Sequence, residues 1–301
     1  MSLVSLKRKG FVVSKPNHRI KKLMEVQDQG EDVEGCKSKV IGPQTFLFVP
    51  ASRPDRIDKA LDSSADVVII DLEDAVRIED KDESRSNLAQ LEPSRKAYVR
   101  INDDSTDHFR RDVRLISGCS WVSAVVLPKV ESPKQVKRLL KLTKGRIEVI
   151  ALVETARGII ASDEIAKSGV SRLMFGSVDY AVEMGSQPNE KLFAYPRSRL
   201  VVASAAAGLA APVDGPTAKL NDAAELIEQT RTAILLGMGG KLCIHPDQIA
   251  SVAPLFISAK DEEWALKILS AHRDSKSGVF VLNGEMIDAP QLALARKILK
   301  C

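Results

Sequence analysis

Short runs of apolar, β-branched residues recur along the chain from residue 45 onward, and each is followed by a stretch whose apolar positions repeat every three to four residues. This is the pattern of parallel strands, buried on both faces and joined by crossover helices. Eight runs are predicted as strands: Thr45 to Pro50, Ala65 to Leu72, Ala97 to Ile101, Val122 to Leu127, Ile147 to Val153, Arg172 to Phe175, Ala210 to Val213 and Lys241 to Ile244. Between them lie predicted helices, among them Pro133 to Leu142, Ala156 to Ser168, Arg197 to Gly208 and Asn221 to Leu236. Eight β/α units with no evident reversal of order favour an α/β fold of the closed (β/α)8 type, a TIM barrel, over an open doubly wound sheet. The units end by residue 258, so 259–301 is a C-terminal extension. It reads as helices over Asp261 to Arg273 and Ala289 to Leu299, joined by an extended connection from Gly278 to Asn283.

With 301 residues, 44% of them hydrophobic, the chain can fill one large core, which makes 44–258 a single barrel domain. Charge changes the picture only at the start. Lys7, Arg8, Lys9, Lys15, Arg19, Lys21 and Lys22 precede the first acidic residue, Glu25, so seven of the cations behind a net charge of +4 sit in a terminal arm and the remainder is near −3. Residues 1–43 are therefore read as a basic extension followed by a polar linker. A basic excess confined to an arm, with Phe11 its only aromatic, does not make a nucleic-acid groove. No run is long and apolar enough for a membrane span, and no secretory signal follows Met1. A cytoplasmic protein is expected, or a mitochondrial one if the arm is a transit peptide. Cys36, Cys119, Cys243 and Cys301 lie far apart, without metal-ligand spacing, and are read as free thiols.

Barrel active sites are assembled at the C-terminal ends of the strands. Those ends carry Asp71-Leu72-Glu73-Asp74, Arg100-Ile101-Asn102, Leu127-Pro128-Lys129, Glu154 and Gly176-Ser177-Val178-Asp179. Glu154 and Asp179 offer two hard oxygen ligands on adjacent units and leave other positions for water and substrate, which suits Mg2+. Taken singly, Glu154 has a salt bridge to Arg157 as its alternative role, and Asp179 a helix N-cap. Asp71, Glu73 and Asp74 either bond metal-held waters from outside or cap the next loop. Arg100 presents a planar fork for a substrate carboxylate, with an ion pair to Glu73 as its alternative, and the backbone N–H groups near Gly176 and Ser177 are candidates for a second anionic oxygen. His245, a lone histidine after the eighth strand, is given no catalytic role.

The segments Phe46-Leu-Phe-Val-Pro50, Asp71-Leu-Glu-Asp-Ala-Val76, Leu127-Pro-Lys-Val-Glu-Ser132, Leu152-Val-Glu-Thr-Ala-Arg-Gly158, Phe175-Gly-Ser-Val-Asp179, Gly240-Lys-Leu-Cys-Ile-His-Pro246 and Gly278-Val-Phe occur in this order. Together they resemble the citrate lyase beta subunit-like proteins of the HpcH/HpaI aldolase group, over roughly residues 44 to 299. The resemblance implies a Mg2+-dependent barrel, with Mn2+ as a substitute ion. It matches Glu154 and Asp179 to the metal ligands and Arg100 to the residue holding the oxo-acid carboxylate. Asn283-Gly-Glu-Met-Ile-Asp-Ala-Pro290 looks like the tail motif of malyl-CoA, methylmalyl-CoA and citramalyl-CoA lyases. Its aspartate matches Asp288, an acid/base that reaches a neighbouring subunit's site, or else an N-cap for the helix that follows. A homotrimer or hexamer is implied.

Two departures bear on the substrate. Ala51-Ser52-Arg53-Pro54 stands where citrate lyase beta subunits usually carry Gly-Asn, as in free-standing relatives, and Gln44-Thr45 replaces the usual Arg-Ser. Arg53 and Lys59 are candidates for the CoA phosphates. The implied activity is carbon–carbon cleavage of a β-hydroxyacyl-CoA, with (S)-citramalyl-CoA giving acetyl-CoA and pyruvate preferred. The alternatives are an L-malyl-CoA/β-methylmalyl-CoA lyase, a malate synthase-like thioesterase, the citryl lyase subunit of a citrate lyase complex, and a non-catalytic assembly partner.

Overall fold

A computed structural model describes residues 42–256, 259–275 and 278–299, and the expectations for the basic arm, Cys36 and Cys301 lie outside these residues. Eight parallel strands close into a barrel in chain order: β1 (Thr45–Pro50), β2 (Val67–Asp71), β3 (Ala97–Arg100), β4 (Val122–Leu127), β5 (Glu148–Val153), β6 (Arg172–Phe175), β7 (Val213–Asp214) and β8 (Gly240–Cys243). β8 pairs back onto β1 through Thr45 and Lys241. Side chains alternate between two cores, as the period of two requires. Phe46, Ile69, Val126, Ile150, Leu152, Met174, Val213 and Leu242 fill the interior. Leu47, Val68, Ile70, Val125, Val149 and Val153 face the surrounding helices instead.

The helices are α1 (Pro54–Leu61), α2 (Lys81–Ala89), α3 (His108–Gly118), α4 (Pro133–Leu142), α5 (Ala156–Ile160), α6 (Ser162–Ala166), α7 (Ser177–Glu183), α8 (Glu190–Ala206), α9 (Ala223–Leu235), α10 (Asp247–Phe256), α11 (Ala259–Asp274) and α12 (Ala289–Leu299). Local sequence starts several of them. Ser132 and Gln135 form a capping box at α4, with Pro133 behind them, and Asp222 accepts the Glu225 N–H at α9.

Within the barrel, three expected elements are divided or differ by more than two residues at an end. The single helix expected over 156–168 bends at Ala161 (φ −83°, ψ 4°), which lets Ile159 and Ile165 both reach the core although they point different ways on a straight helix. α8 begins seven residues before Arg197, and Pro196 lies inside it. β7 is only two residues long, because Pro212 has no N–H to give a ladder.

Arg172 closes the far end of the barrel. It faces inward at the start of β6 and donates to Pro43 O (2.5 Å), Ala211 O (2.8 Å) and Gly239 O (2.9 Å), stapling the chain ahead of β1, β7 and β8 where the short β7 leaves few ladder bonds. Its guanidinium lies over the Phe46 ring, and burial pulls its pKa down to about 10.

The C-terminal extension builds a third core from Ala265, Ile268, Ile287, Leu292 and Ala295. Its connection is a β-hairpin rather than the single extended segment expected: β9 (Phe280–Leu282) pairs with β10 (Glu285–Ile287) across Asn283 (φ 52°) and Gly284 (φ 85°). Asn-Gly is the residue pair that a tight hairpin with two left-handed positions selects. Among the described residues, no helix is long and apolar enough to cross a membrane.

Candidate active site

The barrel mouth follows from the same alternation. Two residues beyond the last interior side chains Ile69, Tyr98, Leu152 and Met174 come Asp71, Arg100, Glu154 and Gly176, so the chemistry-bearing residues form the next inward layer at the C-terminal end.

On the β2–β3 side, charge is matched. Asp71 and Arg100 are register partners, and Arg100 grips the Asp71 carboxylate with Nε (2.7 Å) and Nη2 (2.5 Å) while Nη1 lies 3.2 Å from Glu73. The guanidinium also stacks 4.8 Å from the centre of the Phe48 ring. Burial opposes its charge, but Asp71, Glu73 and Glu154 outweigh that and hold it above its ordinary pKa. Of the two roles weighed for these acids, Asp71 shows the loop cap. Asp71 accepts the N–H groups of Glu73 (2.8 Å) and Ala75 (3.1 Å) as a loop cap and also orients Arg100. Glu73, pushed up by burial, sits between Arg100 and Lys129. Asp74 lies on the rim, 3.6 Å from Lys129.

On the β5–β6 side, charge is not matched. Glu154 is 2% exposed, and its pKa is raised well above the carboxylate range by burial first and by the neighbouring Asp179 charge second. Its Oε1 accepts the Lys129 N–H at 2.8 Å. Its Oε2 faces Gly176, where a Cβ would stand 2.3 Å away. Arg157 pairs with Glu131 instead of Glu154, and Asp179 sits inside the first turn of α7 rather than at its cap. The buried Glu154 and half-buried Asp179 carboxylates interact with each other, with no cation within ion-pair distance of either among the described residues, and together offer hard oxygens that could hold a small divalent ion. No cluster of three or more metal-ligating side chains exists among those residues, which fits an ion completed by water and substrate.

The remaining expected site residues sit in surroundings of their own. The Gly176 N–H, expected to bind an anionic oxygen, donates to Val153 O (3.0 Å); this residue supplies space, not a donor. Ser177 is buried against Gly215, whose Cβ would fall 2.2 Å from Ser177 Oγ. Arg53 already spends its fork on Asp55 (2.9 and 2.8 Å), and Lys59 lies exposed on α1 six residues further along the chain, roughly 9 Å away along the helix axis. Asp288 precedes α12 at its N-cap position, where its own N–H donates to Gln291 Oε1 (3.2 Å). Its Oδ1 is buried with no hydrogen-bond partner. No hydrogen bond or ion pair described here joins Asp288 to the mouth of its own barrel.

The sequence reading missed the buried support behind the β2 loop. Lys81 Nζ donates to Leu72 O (2.8 Å), Glu73 O (2.9 Å) and Asn102 Oδ1 (2.6 Å), and Asn102 is tied to Asp112, which pairs with Arg85. Its trace in the sequence is the spacing of Lys81, Ser84, Arg85 and Leu88, a helical face that is buried yet mostly polar.

Comparison with known proteins gives a consistent picture. The family model HpcH/HpaI aldolase/citrate lyase matches residues 44–246. A citrate lyase subunit beta-like protein of Mycobacterium tuberculosis is 35% identical over 85% of this chain and 94% of its own length. The mitochondrial citramalyl-CoA lyase of Homo sapiens is 30% identical over 86% of this chain and 85% of its own. The crystal structure of CitE from Mycobacterium tuberculosis in complex with magnesium, acetoacetate and coenzyme A superposes with a TM-score of 0.75 at 35% identity, covering 87% of this chain and 98% of that one.

Proposed function

The chain belongs to the HpcH/HpaI aldolase/citrate lyase family, and from that premise we propose that it is a Mg2+-dependent lyase that cleaves (S)-citramalyl-CoA to acetyl-CoA and pyruvate. The observation that carries this reading is the division of the mouth into a charge-matched arginine clamp and an unmatched carboxylate pair. Glu154 and Asp179 would hold the ion, which supplies Lewis-acid stabilisation of negative charge on oxygen when bound. Asp71 takes Nε and Nη2 of Arg100 and Glu73 approaches Nη1, so two of the five guanidinium N–H donors remain to orient the carboxylate of the oxo-acid half.

Cleavage converts the substrate hydroxyl to a carbonyl as its O–H proton passes to solvent and the adjacent carbon–carbon bond breaks, and the electron pair of that bond becomes the thioester enolate. A proton must then reach the enolate carbon. Asp288 from a neighbouring subunit is proposed to deliver it: the extension that carries it has its own core, and one oxygen of this carboxylate has no hydrogen-bond partner among the described residues. In the direction of condensation the same group would act as base. The extension from α11 onward is thus a lid, and a trimer or hexamer would be the catalytic unit. Arg53 and Lys59 remain proposals for the CoA phosphates, on condition that Arg53 exchanges Asp55 for its ligand.

The test is purified protein with Mg2+ and a panel of citramalyl-, malyl-, β-methylmalyl- and citryl-thioesters, with products followed by mass. Acetyl-CoA and pyruvate from citramalyl-CoA, at a kcat/KM above that for the others, is expected. A preference for malyl-CoA would move the assignment to glyoxylate-forming cleavage, and free CoA without carbon–carbon cleavage would replace it with thioester hydrolysis.

A further inference from the structure

Three non-glycine residues among those described have left-handed backbone: Lys129 (φ 51°), Lys144 and Asn283. Asn283 is explained by its hairpin. Lys144 follows α4 at the far end of the barrel. Lys129 alone stands at the mouth, directly after β4, where a side chain with a Cβ meets a steric penalty that glycine would avoid. Such strain persists only where the surroundings impose it.

The surroundings do so from three sides. Lys129 N–H donates to Glu154 Oε1 (2.8 Å), and the next amide, Val130 N–H, donates to Leu152 O (3.2 Å), so the corner is laid along the end of β5. Lys129 O accepts from Nε2 of Gln135, the same glutamine that completes the capping box of α4. Lys129 Nζ reaches Glu73 Oε1 (2.5 Å) at the end of β2. Glycine would relieve the backbone but would leave Glu73 without its ammonium. Asparagine would fit the backbone but not span the mouth. Lysine at this position is therefore explained by two tasks performed at once.

We propose that Lys129 is a positioning residue for the cation site, its left-handed amide fixing Oε1 of Glu154 so that Oε2 is presented toward Gly176 and Asp179, while its ammonium holds the β2 loop at a set distance. This rests on the reading of Glu154 as a metal ligand. The backbone task and the charge task can be separated, because Lys129→Gly, Lys129→Asn, Lys129→Ala and Lys129→Ile all remove the same charge and differ in tolerance for left-handed backbone. Mn2+ affinity, read by electron paramagnetic resonance on the full-length protein, should fall in the order Gly and Asn, then Ala, then Ile. The separation between Gly and Ile should be roughly 5- to 30-fold, the penalty of left-handed backbone for a β-branched side chain. If Ile fails to fold, as a melting curve would reveal, the order of Gly, Asn and Ala decides. Equal Mn2+ affinity across the folded variants, with binding abolished in Glu154→Gln, overturns the positioning role and leaves the metal assignment standing. Unchanged affinity in Glu154→Gln overturns the metal assignment, and the positioning role with it.

Discussion

Gly176→Ala is the smallest change that should damage the cation site. Gly176 has φ −90° and ψ 80°, a backbone that alanine adopts, so the glycine is required for space and not for conformational freedom. The added methyl would stand 2.3 Å from Glu154 Oε2 and 2.4 Å from Glu154 Cβ. A clash with the oxygen alone could be relieved by a rotamer change. A clash with Cβ requires the β5 or β6 backbone to shift. Inserting a methyl into a packed site costs about 1 to 3 kcal/mol. If Glu154 yields, the cost falls on the metal complex and the ion binds roughly 5- to 150-fold more weakly. If Glu154 holds, the cost falls on folding, and each kcal/mol lowers the melting temperature by about 2 to 4 °C in a domain of this size. Titration with Mn2+ and a thermal melt with and without Mg2+ therefore bracket the outcome. The reasoning fails if affinity stays within about twofold and the metal-free melt within about 1 °C, since the strain must appear in one of them.

Four further outcomes are expected. Arg100→Lys keeps the charge but loses the paired grip on Asp71 and the fork for substrate, so kcat/KM should fall by at least about tenfold in steady-state assays while Mn2+ still binds. Glu154 has a raised pKa, so the metal-free fold carries more protons there than the unfolded chain; its stability should decline as pH rises above the ordinary carboxylate range, and saturating Mg2+ should flatten that slope in melts across pH. Arg172→Met strips donors from three buried carbonyls at the end of the barrel opposite the mouth and should cost at least about 3 kcal/mol in urea unfolding, with kcat per folded molecule retained. Mixing inactive Asp288→Asn with inactive Glu154→Gln should restore partial activity if the site is shared; mixed oligomers that remain inactive would refute the sharing.

The strands that sequence located best were those with an uninterrupted buried face. β1, β4 and β6 have the expected bounds: apart from Thr45, Ser123 and Arg172 every residue of the three is apolar, so hydrophobicity marks most of their length. β7 was misplaced because Ala210 to Pro212 are apolar but cannot complete a ladder, a matter of hydrogen bonding that hydropathy does not register. At the mouth, Asp71, Arg100 and Glu154 were legible because a period of two carries the inward face one step beyond the core. For Arg53 the sequence did not reveal a competitor: its partner, Asp55, is two residues away, and a local ion pair competes with any ligand for the same fork. The role of Lys129 lay beyond sequence: its amide, not its side chain, touches Glu154, and a backbone angle leaves no trace in residue type when the residue is not glycine.

The location of the charge imbalance makes the metal reading specific. Among the described residues, five carboxylates, Asp71, Glu73, Asp74, Glu154 and Asp179, share the mouth with two cations, Arg100 and Lys129. Spread evenly, that excess would merely depress anion binding. It is not spread evenly, because both cations pair with carboxylates of the β2 loop and, among the described residues, Glu154 receives a backbone N–H and no cation at ion-pair distance. A neutral hydrogen-bond donor orients a carboxylate without cancelling its charge, so Glu154 either takes up a proton or waits for a cation. A divalent ion at that point removes the need for the proton and turns the β5–β6 side from one that repels an oxo-acid into one that attracts it. Arg100 then faces the same anion from the opposite side. An anionic substrate should accordingly bind only after the ion, and isothermal titration of pyruvate with and without Mg2+ would show this order as pyruvate binding confined to the metal-loaded protein.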